Sequence, residues 1–142
     1  GYGFLSAPEF EYDLHGKPSL AGFPHIFFSI SHCARAVGCL LADVPCGLDI
    51  ECVRPLRPSL VRHTMNEEEQ QAIFSDSQPD LAFIRLWTQK EAVLKLKGTG
   101  IAGGLKESLS PASLSHISLH TVVDSLCGIV VTTATRSRKQ SL

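Results

Sequence analysis

The order of patterns along the 142-residue sequence predicts an α+β fold, an antiparallel sheet packed with helices. Bulky, β-like runs fill residues 25–52, a helical period takes over between residues 54 and 98, and strand-like runs return from residue 116. A doubly wound parallel sheet would alternate strand and helix more strictly. No internal repeat or low-complexity tract interrupts the succession.

Each element has its own local signal. Residues 1–25, rich in Gly and Pro, predict loop with one short extended piece. "HIFFSIS" and "ARAVGCLLAD" read as strands. "DVPCG" is turn chemistry, so Val37–Ala42 and Gly47–Cys52 are expected to pair as a hairpin. "RPLRPSLVRHT" suggests a short helix. In "NEEEQQAIF", Asn66 with Glu69 three residues on has the spacing of a capping box and predicts a helix over 66–75. "QPDLAFIRLWTQKEAVLKLKGTG" is the strongest helix: Pro79 suits its first turn, Ile84, Trp87, Glu91 and Leu94 share one stripe, and Gly98 and Gly100 end it. "HISLHTVV" and "LCGIVVTTAT" predict a terminal hairpin across "DS", followed by a frayed "RSRKQSL".

Composition excludes several classes. With 44% apolar and 19% charged residues, the chain has the makeup of a soluble globular domain with a real core. A net charge of −1 with scattered basic residues gives no electrostatic stripe for nucleic acid. No apolar run approaches the roughly 20 residues needed to span a bilayer, and no signal core follows a basic flank, so a cytoplasmic, non-membrane protein is expected. The five cysteines, without a C-x-x-C, are expected to be reduced, mostly buried thiols. The first residue is glycine, which fits a processed chain or a piece of something larger.

The chemistry begins with "CGLDIE". Asp49 and Glu51, two apart on a strand, leave the same face and repel one another. They either face solvent or share a cation, and their hard oxygens suit Mg²⁺ beside a substrate phosphate. Glu91 interrupts an apolar helix stripe, where a charge needs a partner. Two readings stand: an ion pair with Lys95 one turn on, or completion of a three-carboxylate site with Lys90 and Lys95 flanking phosphate oxygens. Ser31 and His32 in "SISH" and Lys17 in the proline-stiffened "GKP" turn (Gly16–Pro18) could each contact an anion, or be structural. No tight histidine spacing argues for zinc, and no P-loop, GxGxxG or GxSxG is present.

Taken in order, "GKP", "FFSISH", "GLDIE" and "WTQKEAVLKLKGTG" resemble the 4'-phosphopantetheinyl transferases, specifically the surfactin-synthetase-activating type. The resemblance covers about residues 15–104. It implies that Asp49, Glu51 and Glu91 hold Mg²⁺, with Mn²⁺ as a substitute, against the pyrophosphate of coenzyme A. It places Lys17, Pro18, Ser31 and His32 at the nucleotide end and Lys90 and Lys95 beside the pyrophosphate. Lys95 then acts catalytically by offsetting phosphoryl charge. The serine proton of an apo acyl or peptidyl carrier protein would pass to Glu91 directly, or through a water to Glu69, which aligns loosely with a family glutamate.

The same resemblance implies a pseudo-dimer of two similar halves with an incomplete first half: residues 1–45 its closing part, with coenzyme A contacts, and residues 46–142 the C-terminal half. The chain is then a fragment, or a compact member that borrows a neighbour's surface as a homo-oligomer. Alternatives are a non-catalytic module binding coenzyme A or a carrier protein, and a small Mg²⁺-dependent phosphodiesterase.

Overall fold

The computed structural model describes residues 6–100 and 104–137; of the tail expected to fray from residue 136, Arg136 instead pairs with Ile117 as the last residue of a strand, and residues 138–142 lie outside the described residues. The elements run β1 (Phe10–Tyr12), β2 (Pro18–Leu20), β3 (Phe27–His32), β4 (Val37–Ala42), β5 (Cys46–Cys52), α1 (Pro58–Thr64), α2 (Glu67–Ser75), α3 (Pro79–Lys97), β6 (Ile117–Asp124) and β7 (Ile129–Arg136). The α+β order expected from the sequence is present, and every sheet is antiparallel.

The expected hairpin of Val37–Ala42 with the following strand does not form. β4 pairs with β3, and β5 pairs with β7 at the edge of a three-stranded sheet ordered β5-β7-β6. The reason lies in burial. Cys46–Ile50 are five consecutive buried residues, so β5 needs cover on both faces, whereas β4 alternates exposed and half-buried positions and belongs on the outside. At the N-terminus, the expected single extended piece is instead a small hairpin of β1 and β2 around the GKP turn. There the Asp13 carboxylate accepts the backbone N–H groups of His15 and Lys17, and Gly16 takes a positive φ of 79°.

Helix ends follow the sequence signals. Asn66 and Glu69 make both bonds of the capping box that opens α2. α3 starts with Pro79 in its first turn and stops at Gly98, whose φ of 70° suits a residue without a Cβ. Its stripe buries Ile84 and Leu94 completely or nearly so; Ile84, with Phe83 beside it, packs against Val130 of the sheet, Val61 of α1, Met65 at its end and Ile73 of α2. Each such side chain contributes about 1.5–3 kcal/mol.

Two glycines set how closely the layers approach. A Cβ on Gly47 would stand 2.0 Å from the Ala92 carbonyl oxygen and 2.6 Å from the Leu96 nitrogen, so glycine there lets the backbone of α3 lie directly on β5. On the opposite face, a Cβ on Gly38 of β4 would meet only side-chain atoms of Ile50 and Leu48. That second face holds its own apolar group of Leu48, Ile50 and Ile129.

All five cysteines are free thiols, but only Cys46 is buried; Cys39 and Cys127 are exposed, because they sit on an outer strand and in the β6–β7 turn. No helix among the described residues is long and apolar enough to cross a membrane.

Candidate active site

β3 and β5 meet along a seam that has no backbone ladder among the described residues. Two serines replace it. Ser29 Oγ accepts the Leu48 N–H at 2.9 Å and Ser31 Oγ accepts the Ile50 N–H at 3.1 Å, the same separation of 19 residues in each case, so the strands run in the same direction. The hydroxyl of Ser31 also donates to Asp49 Oδ1 at 3.2 Å.

Asp49 and Glu51 leave β5 on the face of Gly47, toward α3, and the close approach there brings Glu91 and Lys95 beside them. Lys95 Nζ stands 2.7 Å from Asp49 Oδ1, and donates as well to Ser31 Oγ and the Leu48 carbonyl. Of the two readings of Glu91, the ion pair with Lys95 is thus not the one adopted. Glu91 is half-buried and has no hydrogen bond or ion pair among the described residues.

The electrostatics describe an excess of acid. Burial pushes the Asp49 carboxyl above the ordinary aspartate range; the Lys95 ammonium pulls the other way, but Glu51 adds repulsion. Burial also raises Glu91, and Asp49 is the next cause, with Lys95 a partial offset and Glu51 adding to the repulsion. One oxygen of the buried Asp49, Oδ2, has no hydrogen-bond partner among the described residues. Glu51 is tied to the Arg54 guanidinium at 2.7 Å and to the Trp87 indole N–H at 3.3 Å.

The donor set suits a hard divalent cation: three carboxylates, one bearing an orphaned buried oxygen, and a single ammonium among them. The side chains as they stand do not converge on one point, and among the described residues no group of three or more His, Cys, Asp or Glu is close enough to hold an ion. It is the charge and donor chemistry of the three carboxylates, and not their present spacing, that fit a divalent cation.

The remaining expected residues lie apart from the acids. Lys90, expected beside a pyrophosphate, is fully buried: Nζ pairs with Glu69 Oε1 at 2.8 Å and donates to the carbonyls of Leu105 and Lys106. Neighbours on a helix point about 100° apart, which sends Lys90 away from the face of Glu91. Glu69 has both oxygens engaged, Oε1 by Lys90 and Oε2 by the Asn66 N–H. Lys17 Nζ caps the end of α3, donating to the carbonyls of Lys95 at 2.7 Å and Leu96 at 3.1 Å, and burial lowers its ammonium from the ordinary lysine value. His32 is exposed on the face of β3 opposite Ser31. A cleft of about 270 Å³ joins Lys17 and Pro18 to Ser29 and Lys95, so the GKP turn shares a space with Lys95, the cation paired to Asp49, while none of the three acids lines it.

Sequence reasoning passed over Ser29, although its signal, a second hydroxyl two positions before Ser31 in a strand of bulky residues, was visible. Gly47 has no role that the motif alone reveals; the helix packed against it supplies one.

A family model for the 4'-phosphopantetheinyl transferase superfamily matches residues 45–136, a stretch that contains β5, all three helices and the terminal hairpin. The chain belongs to this superfamily. It is similar to the 4'-phosphopantetheinyl transferase psf-1 of Bacillus pumilus, at 34% identity over 98 residues, 68% of this chain and 42% of the relative. The 4'-phosphopantetheinyl transferase Sfp of Bacillus subtilis strain 168 is 32% identical over 91 residues, 62% of this chain and 40% of Sfp. The transferase AcpT of Escherichia coli K12 is 33% identical over 118 residues, 79% of this chain and 58% of AcpT. The chain thus spans about 40 to 58% of the length of these phosphopantetheinyl transferases.

Proposed function

We propose that the chain catalyses Mg²⁺-dependent transfer of the 4'-phosphopantetheine arm of coenzyme A to a serine of an apo acyl or peptidyl carrier protein in the cytoplasm, releasing 3',5'-adenosine diphosphate. The observation that carries this reading is the cluster of buried Asp49 with half-buried Glu51 and Glu91, in which Asp49 Oδ2 has no hydrogen-bond partner among the described residues. Asp49, Glu51 and Glu91 would hold Mg²⁺, which supplies a positive charge to bind and polarise the pyrophosphate.

The protein's own side chains do the rest. Lys95, the one ammonium in the cluster, offsets negative charge as the bond between the β-phosphorus and its bridging oxygen breaks. Glu91 takes the proton of the attacking serine hydroxyl. It is favoured over Glu69, whose two oxygens are already committed, whereas Glu91 has no hydrogen bond or ion pair among the described residues. Ser31 and the Leu48 carbonyl orient Lys95. Lys17, Pro18 and His32 border the nucleotide end. Residues 1–45 serve as the closing part of an N-terminal half and residues 46–142 as the C-terminal half, completed by further chain or by a second subunit.

Incubation with coenzyme A, Mg²⁺ and apo carrier proteins should add one phosphopantetheine mass to a carrier, and Asp49→Asn and Glu91→Gln should abolish it. No mass gain, on carriers that Sfp modifies under the same conditions, overturns the reading. Because the chain spans little more than half of its relatives at most, a second reading is a module that binds coenzyme A without turnover. Calorimetric binding with no transfer would select it.

A further inference from the structure

The seam between β3 and β5 continues past its two serines. Ser29 faces Leu48 and Ser31 faces Ile50; the next step, again 19 residues apart, sets Cys33 against Cys52 with their sulfurs 3.1 Å apart. This is the one thiol–thiol contact among the described residues. Both cysteines are half-buried rather than sealed in the core, and each closes a stretch that matters: Cys33 follows the strand of Ser31, and Cys52 is the last residue of β5, directly after Glu51. The Cys33 N–H is held by the Ala36 carbonyl and the Val53 N–H by the Gly128 carbonyl, so the backbone on both sides of the contact is anchored.

We propose that Cys33 and Cys52 form a reversible disulfide that clasps the β3–β5 seam in response to a disulfide oxidant such as glutathione disulfide. Only about 1 Å of sulfur movement separates the contact from a covalent S–S bond of about 2.05 Å. One cysteine sulfur attacks glutathione disulfide, forming a mixed disulfide and releasing one glutathione. The other cysteine sulfur then attacks the mixed disulfide and releases the second glutathione. The two protein thiols lose two electrons and two protons; the two glutathione thiols carry both away. A dithiol reductant reverses the steps. The clasp does what no backbone bond does at this seam: it fixes the strand of Ser31 to the strand of Asp49.

The proposal is independent of the transfer chemistry, and its test needs no activity. The full chain is equilibrated in glutathione buffers of rising oxidised fraction, free thiols are alkylated, and the protein is cleaved after Arg35 and before Asp43 and Asp49, which puts Cys33, Cys39, Cys46 and Cys52 in separate peptides. The expected result is a Cys33–Cys52 linked pair, reversed by dithiothreitol. The closed loop of about 19 residues should raise the midpoint of thermal unfolding by about 10 °C. Amide exchange at Leu48 and Ile50 should slow, because their N–H groups bond across the seam. The rise should vanish in Cys33→Ser and in Cys52→Ser, and the wild-type comparison with and without reductant stands even if a variant folds poorly. Alkylation of Cys33 and Cys52 in buffers that oxidise exposed Cys127, stable glutathione adducts on either residue, or a different pairing each overturn the proposal.

Discussion

Lys95→Met should destabilise the protein far more than Asp49→Asn, although the two side chains form one ion pair. The Asp49 side chain is 7% exposed and that of Lys95 32%. Removing Lys95 leaves a carboxylate in the protein interior facing Glu91 and Glu51, with only the Ser31 hydroxyl to bond it. Stranding one partner of a buried pair costs about 3–5 kcal/mol, and the partial exposure of Lys95 argues for the low end, about 3 kcal/mol. Asp49→Asn keeps the shape and the acceptor oxygen while removing the repulsion with Glu91, so its cost should be about 1 kcal/mol. The double variant should cost at least about 1 kcal/mol less than the sum, because without the charge on Asp49 the absence of Lys95 strands nothing. Urea unfolding at pH 7 in the presence of a chelator, with all four proteins on one fitted slope, measures each term. Equal costs for the two single variants, or a double variant additive to within about 0.5 kcal/mol, would refute the electrostatic account of the cluster.

The same acids predict a pH dependence. The folded pKa of Glu91 is raised, so its contribution is fully favourable below its ordinary value of 4.5 and is lost as pH rises through the folded value. In chelator, Glu91→Gln should therefore be more stable than the wild type at pH 8, with a gap that narrows toward pH 5; a gap that widens on acidification would contradict this. Gly47→Ala should cost at least about 1–3 kcal/mol in thermal or chemical unfolding, since its Cβ meets α3 backbone at 2.0 Å, and Gly38→Ala should cost less because Ile50 Cδ1 can rotate away. Glu69→Ala should cost about 3–5 kcal/mol, because it removes a capping-box bond and leaves the buried ammonium of Lys90 without its carboxylate; a loss under 1 kcal/mol would show that water reaches Lys90.

Local rules made most elements legible. The capping box of Asn66 and Glu69, Pro79 at the start of α3 and Gly98 at its end each depend on a few adjacent residues, and the terminal hairpin forms as expected, except that its turn is residues 125–128 rather than "DS", with Asp124 still paired to Ile129. Strand partners did not follow in the same way. Turn residues 43–45 look like a hairpin connection, yet the burial of β5 on both faces, a property of what surrounds it, sends it to β7. The acids were visible as motif residues, but spacing alone could not say whether Lys95 would answer Glu91 or Asp49. That choice is made by Gly47, which lowers α3 onto β5. Lys90 and Lys95 are equally plausible phosphate ligands as letters in a helix; five residues place them on different sides, one buried under the 105–106 loop and one in the cluster.

The serine seam also bears on how the molecule comes apart. β5 is joined to β7 by a continuous ladder from Cys46 to Cys52, but to β3 by three bonds of two serine hydroxyls, the Cys33–Cys52 contact and the reach of Lys95. A fluctuation that separates residues 6–42 from the rest therefore meets its least resistance along this line and leaves the main sheet whole. Limited proteolysis should find the β3–β4 hairpin first, and anything that grips both edges of the line works as a latch on the N-terminal part.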